Sequence, residues 1–363
     1  MTTTRVRISI VGAGPGGLTC ARILQRHGVA VTVHDRDAGP DARDQGGSLD
    51  LREGDGQLAL REAGLLDLFH AHARVEGQEM RVLDRTGVIR DHHVPDADDR
   101  SKPEIDRGRL RALLLDSLEP GTVRWGHTLD RVTGPADGPR TLHFTNGTTT
   151  RADLVIGADG AFSRVRAAVS PTVPRYTGVS FLEARFDDVD NRHADLARLV
   201  GPGSAHAADG TRALFAQRNG DNHLRVYVIR RTPLDEPTTT DRLLTEFVDW
   251  SPLLRRVLTD HDGPRVNRPI FALPVPHTWP HDPTVTLLGD AAHLMPPLGV
   301  GVNLAMLDAA ELALALAGSD TVAEAVRAYE ATMLPRSTEA AELLEHATED
   351  LLSAPEPGDT RAR

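Results

Sequence analysis

The stretch RVRISIVGAGPGGLTCARILQRHGVAVTVHD, residues 5–35, decides the fold. The apolar run over residues 5–11 predicts a strand, and apolar residues at helical spacing over residues 18–25 predict a helix that ends at Gly28. The β-branched run over residues 29–34 predicts a second strand. A strand, a glycine turn, a helix and a strand within about 30 residues form a βαβ unit. The sequence therefore predicts a parallel sheet.

The turn between the first strand and the helix carries glycines at the three positions of a G-x-G-x-x-G pattern, Gly12, Gly14 and Gly17. Gly12 permits the tight turn, Gly14 lets the backbone approach a pyrophosphate, and Gly17 lets the helix pack closely on the strand. The helix N-terminus offers free N–H groups to phosphates. Asp35, after the second strand, can accept hydrogen bonds from ribose hydroxyls. The predicted dinucleotide contacts in this turn are Gly12, Ala13, Gly14, Pro15, Gly16 and Gly17.

Two further strands deliver an acid and a glycine to their carboxyl ends far downstream in the chain. The run ADLVIGADG ends at Asp159-Gly160, and the run LLGDAAH contains Gly289-Asp290. An NAD-linked dehydrogenase would keep its cofactor fold in one continuous half. The three motifs in this order indicate a discontinuous dinucleotide-binding domain, interrupted by the strand-rich residues 170–274.

Composition bounds the class of protein. The chain has 363 residues, which favours about two domains, and 41 basic against 52 acidic residues give a net charge of -11. That balance offers no basic face for nucleic acid. The single cysteine, Cys20, excludes an intrachain disulfide and is expected to be buried and inert. We find no signal peptide, no membrane span and no metal-ligand spacing, and we expect a cytoplasmic monomer or homodimer.

The order of the three motifs resembles the single-component FAD-dependent aromatic hydroxylases, and among these the tetracycline-inactivating FAD monooxygenases most of all. Further matches are Arg43 with GGSLDL at residues 46–51, Ile105 with RGRLR at residues 107–111, and residues 289–297. The resemblance runs from about residue 5 to residue 346. It implies a flavoprotein that modifies antibiotics or takes part in their biosynthesis.

The resemblance also implies roles for particular residues. Asp35 and Arg36 would contact the adenosine ribose, and Arg107 the FAD phosphates or ribityl chain. Asp50 would lie near the flavin, and Arg43 would contact NADPH. Asp159 and Gly160 would serve both FAD and NADPH, and Asp290, after Gly289, would bind the ribityl hydroxyls. The flavin ring would lie against Pro297, Gly299, Val300, Gly301, Val302 and Asn303. His293 is interpreted as structural, and no side-chain nucleophile or base is assigned.

The predicted fold class is α/β. A Rossmann-like FAD-binding domain spans residues 1–169 and 275–320, with a β-rich substrate domain inserted at residues 170–274. A C-terminal helical segment spans residues 321–352, and a frayed tail follows at residues 353–363. Candidate pocket residues on the inserted strands are Arg198, His206, Arg212, Phe215, Arg225 and Tyr227.

The predicted function is FAD-dependent monooxygenation: NAD(P)H reduces FAD, O2 adds to it, and a flavin hydroperoxide hydroxylates an aromatic or polycyclic small molecule. The chain departs from the family in one loop, because only nine residues separate His293 from Asn303, one fewer than is usual. Two alternatives stay open. FAD would have a structural, non-redox role in ligand binding or cyclisation, or the protein would be another FAD oxidoreductase. A halogenase is disfavoured because no W-x-W-x-I-P segment occurs and Lys102 is the only lysine.

Overall fold

A computed structural model describes residues 6–236, 238–345 and Leu352. Its strands are β1 (Ile8–Val11), β2 (Val31–His34), β3 (Ser48–Asp50), β4 (Met80–Leu83), β5 (Ile89–His93), β6 (Glu104–Asp106), β7 (Val123–Arg124), β8 (Leu129–Thr133), β9 (Arg140–Phe144), β10 (Thr149–Ala152), β11 (Leu154–Gly157), β12 (Arg175–Phe186), β13 (Ser204–Ala208), β14 (Arg212–Asn219), β15 (His223–Arg231), β16 (Asp262–Ala272) and β17 (Val285–Leu287). Its α-helices are α1 (Pro15–Arg26), α2 (Gly56–Ala63), α3 (Leu66–His70), α4 (Arg107–Asp116), α5 (Val189–Arg192), α6 (Ala194–Val200), α7 (Thr240–Glu246), α8 (Pro252–Arg255), α9 (Asp290–His293), α10 (Gly301–Gly318) and α11 (Val322–Glu345).

A parallel sheet of order β17-β11-β1-β2-β7 forms the centre of the first half. The predicted βαβ unit is confirmed as β1, α1 and β2, and the predicted strand over residues 154–157 is β11. Because β11 and β17 join β1 from far along the chain, all three motifs reach the same carboxyl edge of the sheet. A core of fully buried apolar side chains, Cys20 among them, packs the sheet against α1 and α10.

A second sheet of seven strands has the order β16-β12-β15-β14-β13-β4-β5. The alternating runs over residues 213–217 and 224–230, with a turn at residues 219–222 between them, predict neighbouring strands. This is confirmed, because β14 and β15 pair antiparallel with Phe215 opposite Tyr227. The sheet also takes in β4 and β5, which fall inside the range 1–169 assigned to the FAD-binding domain. β4 pairs in parallel with β13 more than 120 residues later, and local sequence patterns carry no signal for such a pairing.

Apolar positions spaced by three and four over residues 242–259 predict one continuous helix. This prediction is wrong, because the chain forms α7, α8 and a short 3-10 turn, Arg256–Leu258. Pro252 begins α8, and the Ser251 hydroxyl accepts a hydrogen bond from the Leu254 amide at its N-terminus. A proline at the first helical position starts a new helix and cannot continue an old one. The helices α5–α8 cover one face of the seven-stranded sheet with a separate apolar core.

The Ala-rich runs over residues 302–317 and 322–346 predict two helices. The structure has α10 and α11 over nearly the same residues. By length and composition alone α10 could cross a membrane, but half of it is buried inside the fold. The core helix of a soluble protein passes the same test. Beyond α11 the structure describes Leu352, and the predicted tail over residues 353–363 lies outside the described residues.

Candidate functional site

The glycine turn between β1 and α1 has the geometry that its sequence predicts. Gly12 has φ +110°, and a Cβ there would lie 2.2 Å from the Ala158 carbonyl oxygen. A Cβ on Gly17 would lie 2.1 Å from the Gly12 carbonyl oxygen. Gly14, in contrast, has nothing within 4 Å of its Cβ position. Two glycines therefore serve close packing, and the third leaves an open approach to the N-terminus of α1.

Asp35 follows β2 and faces the glycine turn. One carboxylate oxygen accepts the Ala13 amide at 2.6 Å, and the other accepts the Asp37 amide at 2.8 Å. Arg36 is exposed, and Arg43 forms an ion pair with Asp37 at 3.1 Å. The structure thus brings the predicted ribose and NADPH contacts to one rim of the turn, with their charges partly engaged by neighbours.

Arg111, which was not among the predicted contacts, holds the backbone of the same rim in place through hydrogen bonds. Its guanidinium donates to the carbonyl oxygen of Ala13 at 3.1 Å and to that of Pro40, and its Cζ lies 5.2 Å from the centre of the Trp125 ring. Burial lowers the pKa of Arg111. The sequence could have indicated this role for Arg111, because Arg107 and Arg111 are one helical turn apart and share a face of α4.

Arg107, at the start of α4, projects into the cleft between the two sheets. Its side chain reaches solvent and forms no hydrogen bond or ion pair within the described residues. The surrounding protein lowers the pKa of Arg107, while Tyr227 and Asp290 act in the opposite direction. An unpaired guanidinium that is crowded by protein yet open to water is suited to meet an anion.

The carboxylate of Asp159, which the resemblance assigns to FAD and NADPH, has hydrogen-bond partners in the loop that follows it. Its carboxylate accepts hydrogen bonds from the Ser163 hydroxyl and from the amides of Arg164 (2.7 Å) and Val165 (3.2 Å). Burial raises the pKa of Asp159. The carboxylate therefore shapes its own loop, whereas Gly160, with φ +78°, has no heavy atom within 4 Å of its Cβ position.

A buried arginine, Arg166, joins the second and third motifs. Its guanidinium donates to the carbonyl oxygens of Ala161 (2.9 Å), Asp290 (3.0 Å) and Ala291 (2.8 Å). The residue is 2% exposed. In a chain this rich in arginine, the sequence offered no means of separating Arg166 from the solvated ones.

The third motif, Gly289-Asp290, is held in place by the buried carboxylate of Asp308. Asp308 of α10 accepts the Gly289 amide at 2.9 Å, the His293 Nε2 at 2.6 Å and the Arg336 guanidinium at 2.7 Å. Burial by itself would lower the pKa of His293, but the Asp308 carboxylate outweighs it and the pKa is raised. His293 is thus placed in a structural network behind the cleft.

Asp290 itself is exposed at the cleft. Its Oδ1 lies 3.9 Å from the Cβ position of Gly301, the first residue of α10. The carboxylate therefore stands beside a helix N-terminus, where free N–H groups carry partial positive charge.

The loop before α10 is held by Asn303, which is 1% exposed. Its Oδ1 accepts the amides of Arg52 (2.9 Å) and Gly56 (3.3 Å), and its Nδ2 donates to the carbonyl oxygens of Asp50 (2.9 Å) and Gly299 (3.3 Å). The side-chain amide of Asn303 joins two loops, so both its oxygen and its nitrogen already have hydrogen-bond partners in the protein. The other residues of this loop that the resemblance assigns to the flavin ring are exposed or half-buried: Pro297, Gly299, Val300, Gly301 and Val302.

Asp50, on the other side of that loop, has its Oδ1 3.6 Å from the Cβ position of Gly299. Burial raises the pKa of Asp50. Opposite Asp50 in the β3–β6 pair lies Glu104, which accepts a hydrogen bond from Gln217 of β14 at 3.2 Å. Burial raises the pKa of Glu104 to about 7. The buried carboxyl of Glu104 therefore joins β6 to the seven-stranded sheet beside the cleft. No sequence motif indicated this residue.

The seven-stranded sheet presents a row of flat side chains on the face away from α5–α8. His206, Phe215 and Tyr227 stand opposite one another on β13, β14 and β15, with ring centroids 6.4 and 6.5 Å apart. The Tyr227 hydroxyl comes within 3.3 Å of the Cβ position of Gly47, so this face meets the first half of the chain. Arg225, on the same face, pairs with Glu183 and Asp44 and is 4% exposed.

Two of the candidate pocket residues lie elsewhere. Arg198 is on α6, 71% exposed at its side chain, and paired with Asp195. Arg212 faces the helical layer, where its guanidinium stacks on Phe247 and Trp250. The alternation of side chains along β14 places Arg212 on the opposite face from Phe215.

Together, the parallel sheet, the glycine turn and the convergent acidic motifs define a dinucleotide-binding flavoprotein fold with an inserted β-sheet. Residues 5–343 match the family model described as FAD binding domain, and the chain belongs to that family. It is 30% identical to the monooxygenase asqM of Emericella nidulans, with 93% of each chain covered. It is 32% identical to the 3-amino-4-hydroxybenzoate 2-monooxygenase of Streptomyces cremeus, covering 92% of this chain and 84% of that one.

Among solved structures, the fold matches the tetracycline destructase Tet(55) with a TM-score of 0.76 and 21% identity, covering 99% of this chain and 93% of that one. The chain is an FAD-dependent monooxygenase by these relations. The cleft fits FAD, since Gly14 leaves room at the N-terminus of α1, Asp290 offers a free carboxylate to hydroxyls, and Arg107 offers an unpaired cation.

Proposed function

We propose that the protein uses NAD(P)H and O2 to hydroxylate an aromatic or polycyclic small molecule. The observation that carries this proposal is the row formed by His206, Phe215 and Tyr227, whose Tyr227 end meets the Gly47 loop. Flat rings on a rigid sheet suit a planar ligand. A pocket that is mainly apolar, with few polar groups, is typical of small-molecule sites.

Bound FAD would supply the redox and oxygen chemistry, and the residues of this chain would bind and orient it. Gly14 would admit the pyrophosphate to the N-terminus of α1, Asp290 would accept hydrogen bonds from ribityl hydroxyls, and Arg107 would face a phosphate. The N-terminus of α10 would stabilise negative charge at the ring edge. The apolar row would exclude water and hold the substrate carbon in place.

The other candidate is a flavoprotein whose FAD has a non-redox role, and the shortened loop between His293 and Asn303 is the feature that favours it. One experiment separates the two. The FAD-loaded protein is mixed with NADPH or with NADH without oxygen, alone and with a panel of polycyclic aromatic compounds, and the visible flavin band is followed.

Bleaching that reverses in air, with incorporation of one 18O atom from 18O2 into a product by mass spectrometry, supports hydroxylation. A flavin band that persists under every condition refutes it. Reversible bleaching without oxygen incorporation points instead to a different FAD oxidoreductase.

A further inference from the structure

We infer that Glu104 is a positioning residue, which holds the side-chain amide of Gln217 with its oxygen towards the ligand site. That site is the face of the seven-stranded sheet with the row of His206, Phe215 and Tyr227, so the inference rests on the proposed function. It starts from a buried carboxyl on β6 that is joined to β14 by one side-chain hydrogen bond.

The amide of Gln217 stands at the end of the row. Gln217 lies on β14 two residues after Phe215, and therefore on the same face of the sheet. Its Oε1 is 3.0 Å from the Cβ position of Gly47, a point that the Tyr227 hydroxyl approaches to 3.3 Å. The side chain is half-buried, and its Oε1 accepts no hydrogen bond within residues 6–236 and 238–345. A free acceptor is thus available to a ligand on the row.

The other end of this amide is held by Glu104, which is 7% exposed. The Gln217 Nε2 donates to the Glu104 Oε1 at 3.2 Å. An ionised carboxylate has no proton to donate, so it can meet only the NH2 end of an amide, and the amide oxygen must point away from it. A protonated carboxyl can meet either end of the amide, and so can a glutamine at position 104. The charge of Glu104 therefore decides which end of Gln217 faces the ligand.

The groups around Glu104 place its proton equilibrium near neutral pH. Burial is the main cause that raises its pKa, to about 7, and the carboxylates of Asp50 and Asp106 act in the same direction. The Arg74 guanidinium, 3.6 Å from the Glu104 Oε2, and the hydrogen bond from Gln217 oppose them. The amide is therefore held in one orientation above pH 7 and is free to adopt both below it.

The orientation of the amide matters for a planar ligand that lies on the row. An N–H group at the edge of such a ligand would donate to the Gln217 oxygen, whereas an oxygen atom at the same place would set one acceptor against another. The geometry therefore favours a donor at that edge of the ring system. The preference should be lost when Glu104 is protonated or replaced by glutamine.

The test compares planar ligands that differ only in an N–H group against an oxygen atom: acridone with xanthone, carbazole with dibenzofuran, and indole with benzofuran. Binding to the FAD-loaded protein is measured by calorimetry near pH 8.5 and near pH 5.5, between which none of these ligands titrates. We expect at least one N–H compound to bind about three- to tenfold more tightly than its oxygen counterpart near pH 8.5, the usual effect of one hydrogen bond. Near pH 5.5 the two should bind almost equally.

Two variants and their combination separate positioning from a merely structural role. Glu104→Gln should remove the preference at both pH values. Gln217→Met should do the same, because methionine has the length of glutamine without its amide. In the Gln217→Met protein, the second substitution Glu104→Gln should change the affinity for the N–H compounds no further.

Glu339→Gln is the matched control, because it makes the same change at an exposed position of α11 and should keep both the preference and its pH dependence. Melting temperature and FAD content show that each variant is folded. Flavin reduction by NADPH or NADH in the same samples reports on the proposed function separately.

The inference is overturned if none of the N–H compounds binds, if both members of every pair bind equally near pH 8.5, or if Glu104→Gln keeps the preference. It is also overturned if the wild-type preference is the same at both pH values. A further loss of affinity on adding Glu104→Gln to Gln217→Met would overturn it as well, because Glu104 would then act on the ligand by another route.

Discussion

Replacing Asp308 by Asn should destabilise the protein by about 3–5 kcal/mol, the usual cost of removing one partner from a buried ion pair. Asp308 is 0% exposed and accepts three hydrogen bonds, two of them from the side chains of His293 and Arg336. Asparagine retains one acceptor oxygen for the Gly289 amide or His293. Its amide nitrogen would face a donor, and Arg336 would lose its buried carboxylate.

The loss should depend on pH with a defined sign. The pKa of His293 is raised above 6.5 in the folded protein because Asp308 outweighs burial. The stability it contributes is therefore complete below pH 6.5 and declines as pH rises through the folded value. The pKa of Asp308 is lowered against the opposing effect of burial. The stability that this carboxylate contributes is therefore present above pH 3.8 and is lost as the pH falls through its folded pKa. The difference between wild type and Asp308→Asn should be largest near pH 6 and smaller near pH 9.

Urea unfolding of the FAD-free protein at these pH values measures the difference. Glu311→Gln is the control, because Glu311 pairs with the same Arg336 at a less buried end and its loss should cost about 1 kcal/mol or less. A loss below about 1 kcal/mol for Asp308→Asn, or one that is independent of pH, would refute the reasoning.

Three further outcomes are expected. Asp290→Ala should weaken FAD binding at least about tenfold at unchanged apoprotein stability, measured by flavin fluorescence titration with Asp320→Ala as an exposed control, and equal FAD affinity would contradict the assigned role. Gly14→Ala should leave apoprotein melting unchanged, because a Cβ there meets nothing within 4 Å, but should reduce FAD affinity; Gly17→Ala, whose Cβ would lie 2.1 Å from a backbone oxygen, should lower the melting temperature instead. If both substitutions change FAD affinity and melting temperature in the same way, the distinct roles assigned to Gly14 and Gly17 are wrong. Burial raises the pKa of Glu104 from 4.5 to about 7, so wild-type stability falls through that window as pH rises, and Glu104→Gln should be more stable by up to about 3 kcal/mol near pH 8. That gap should close below pH 4.5 in urea unfolding, and a constant gap would contradict it.

The local parts of the fold were predictable because their signals are local. The βαβ unit, β11 and the β14–β15 hairpin each lie within a short stretch whose apolar period and turn residues agree. The pairing of β4 with β13 was not predictable, because it joins two short strands that neither pattern nor turn connects. The break at Pro252 was readable in principle, since Ser251-Pro252 is a helix start.

The candidate site divides in the same way. The glycines follow from backbone geometry, which a motif encodes directly. A motif does not encode the hydrogen bonds that a side chain forms. The carboxylate of Asp159 accepts hydrogen bonds from its own loop, and the side chain of Asn303 is hydrogen-bonded to two loops. Buried Arg111 and Arg166 resemble surface arginines in sequence, because only the fold reveals which carbonyl oxygens surround a guanidinium.

The reach of Asn303 has a consequence for the order in which the molecule is built. Its hydrogen bonds join α10 to residues 50–56, about 250 positions earlier, and β17 completes the parallel sheet only after the inserted sheet has been made. On the ribosome, the N-terminal half must therefore wait with an exposed β11 edge while more than 100 residues follow. Early chains carry an unpaired strand edge that invites association. Chaperone dependence during synthesis, and poor solubility of fragments ending before β17, are the expected costs of this chain order.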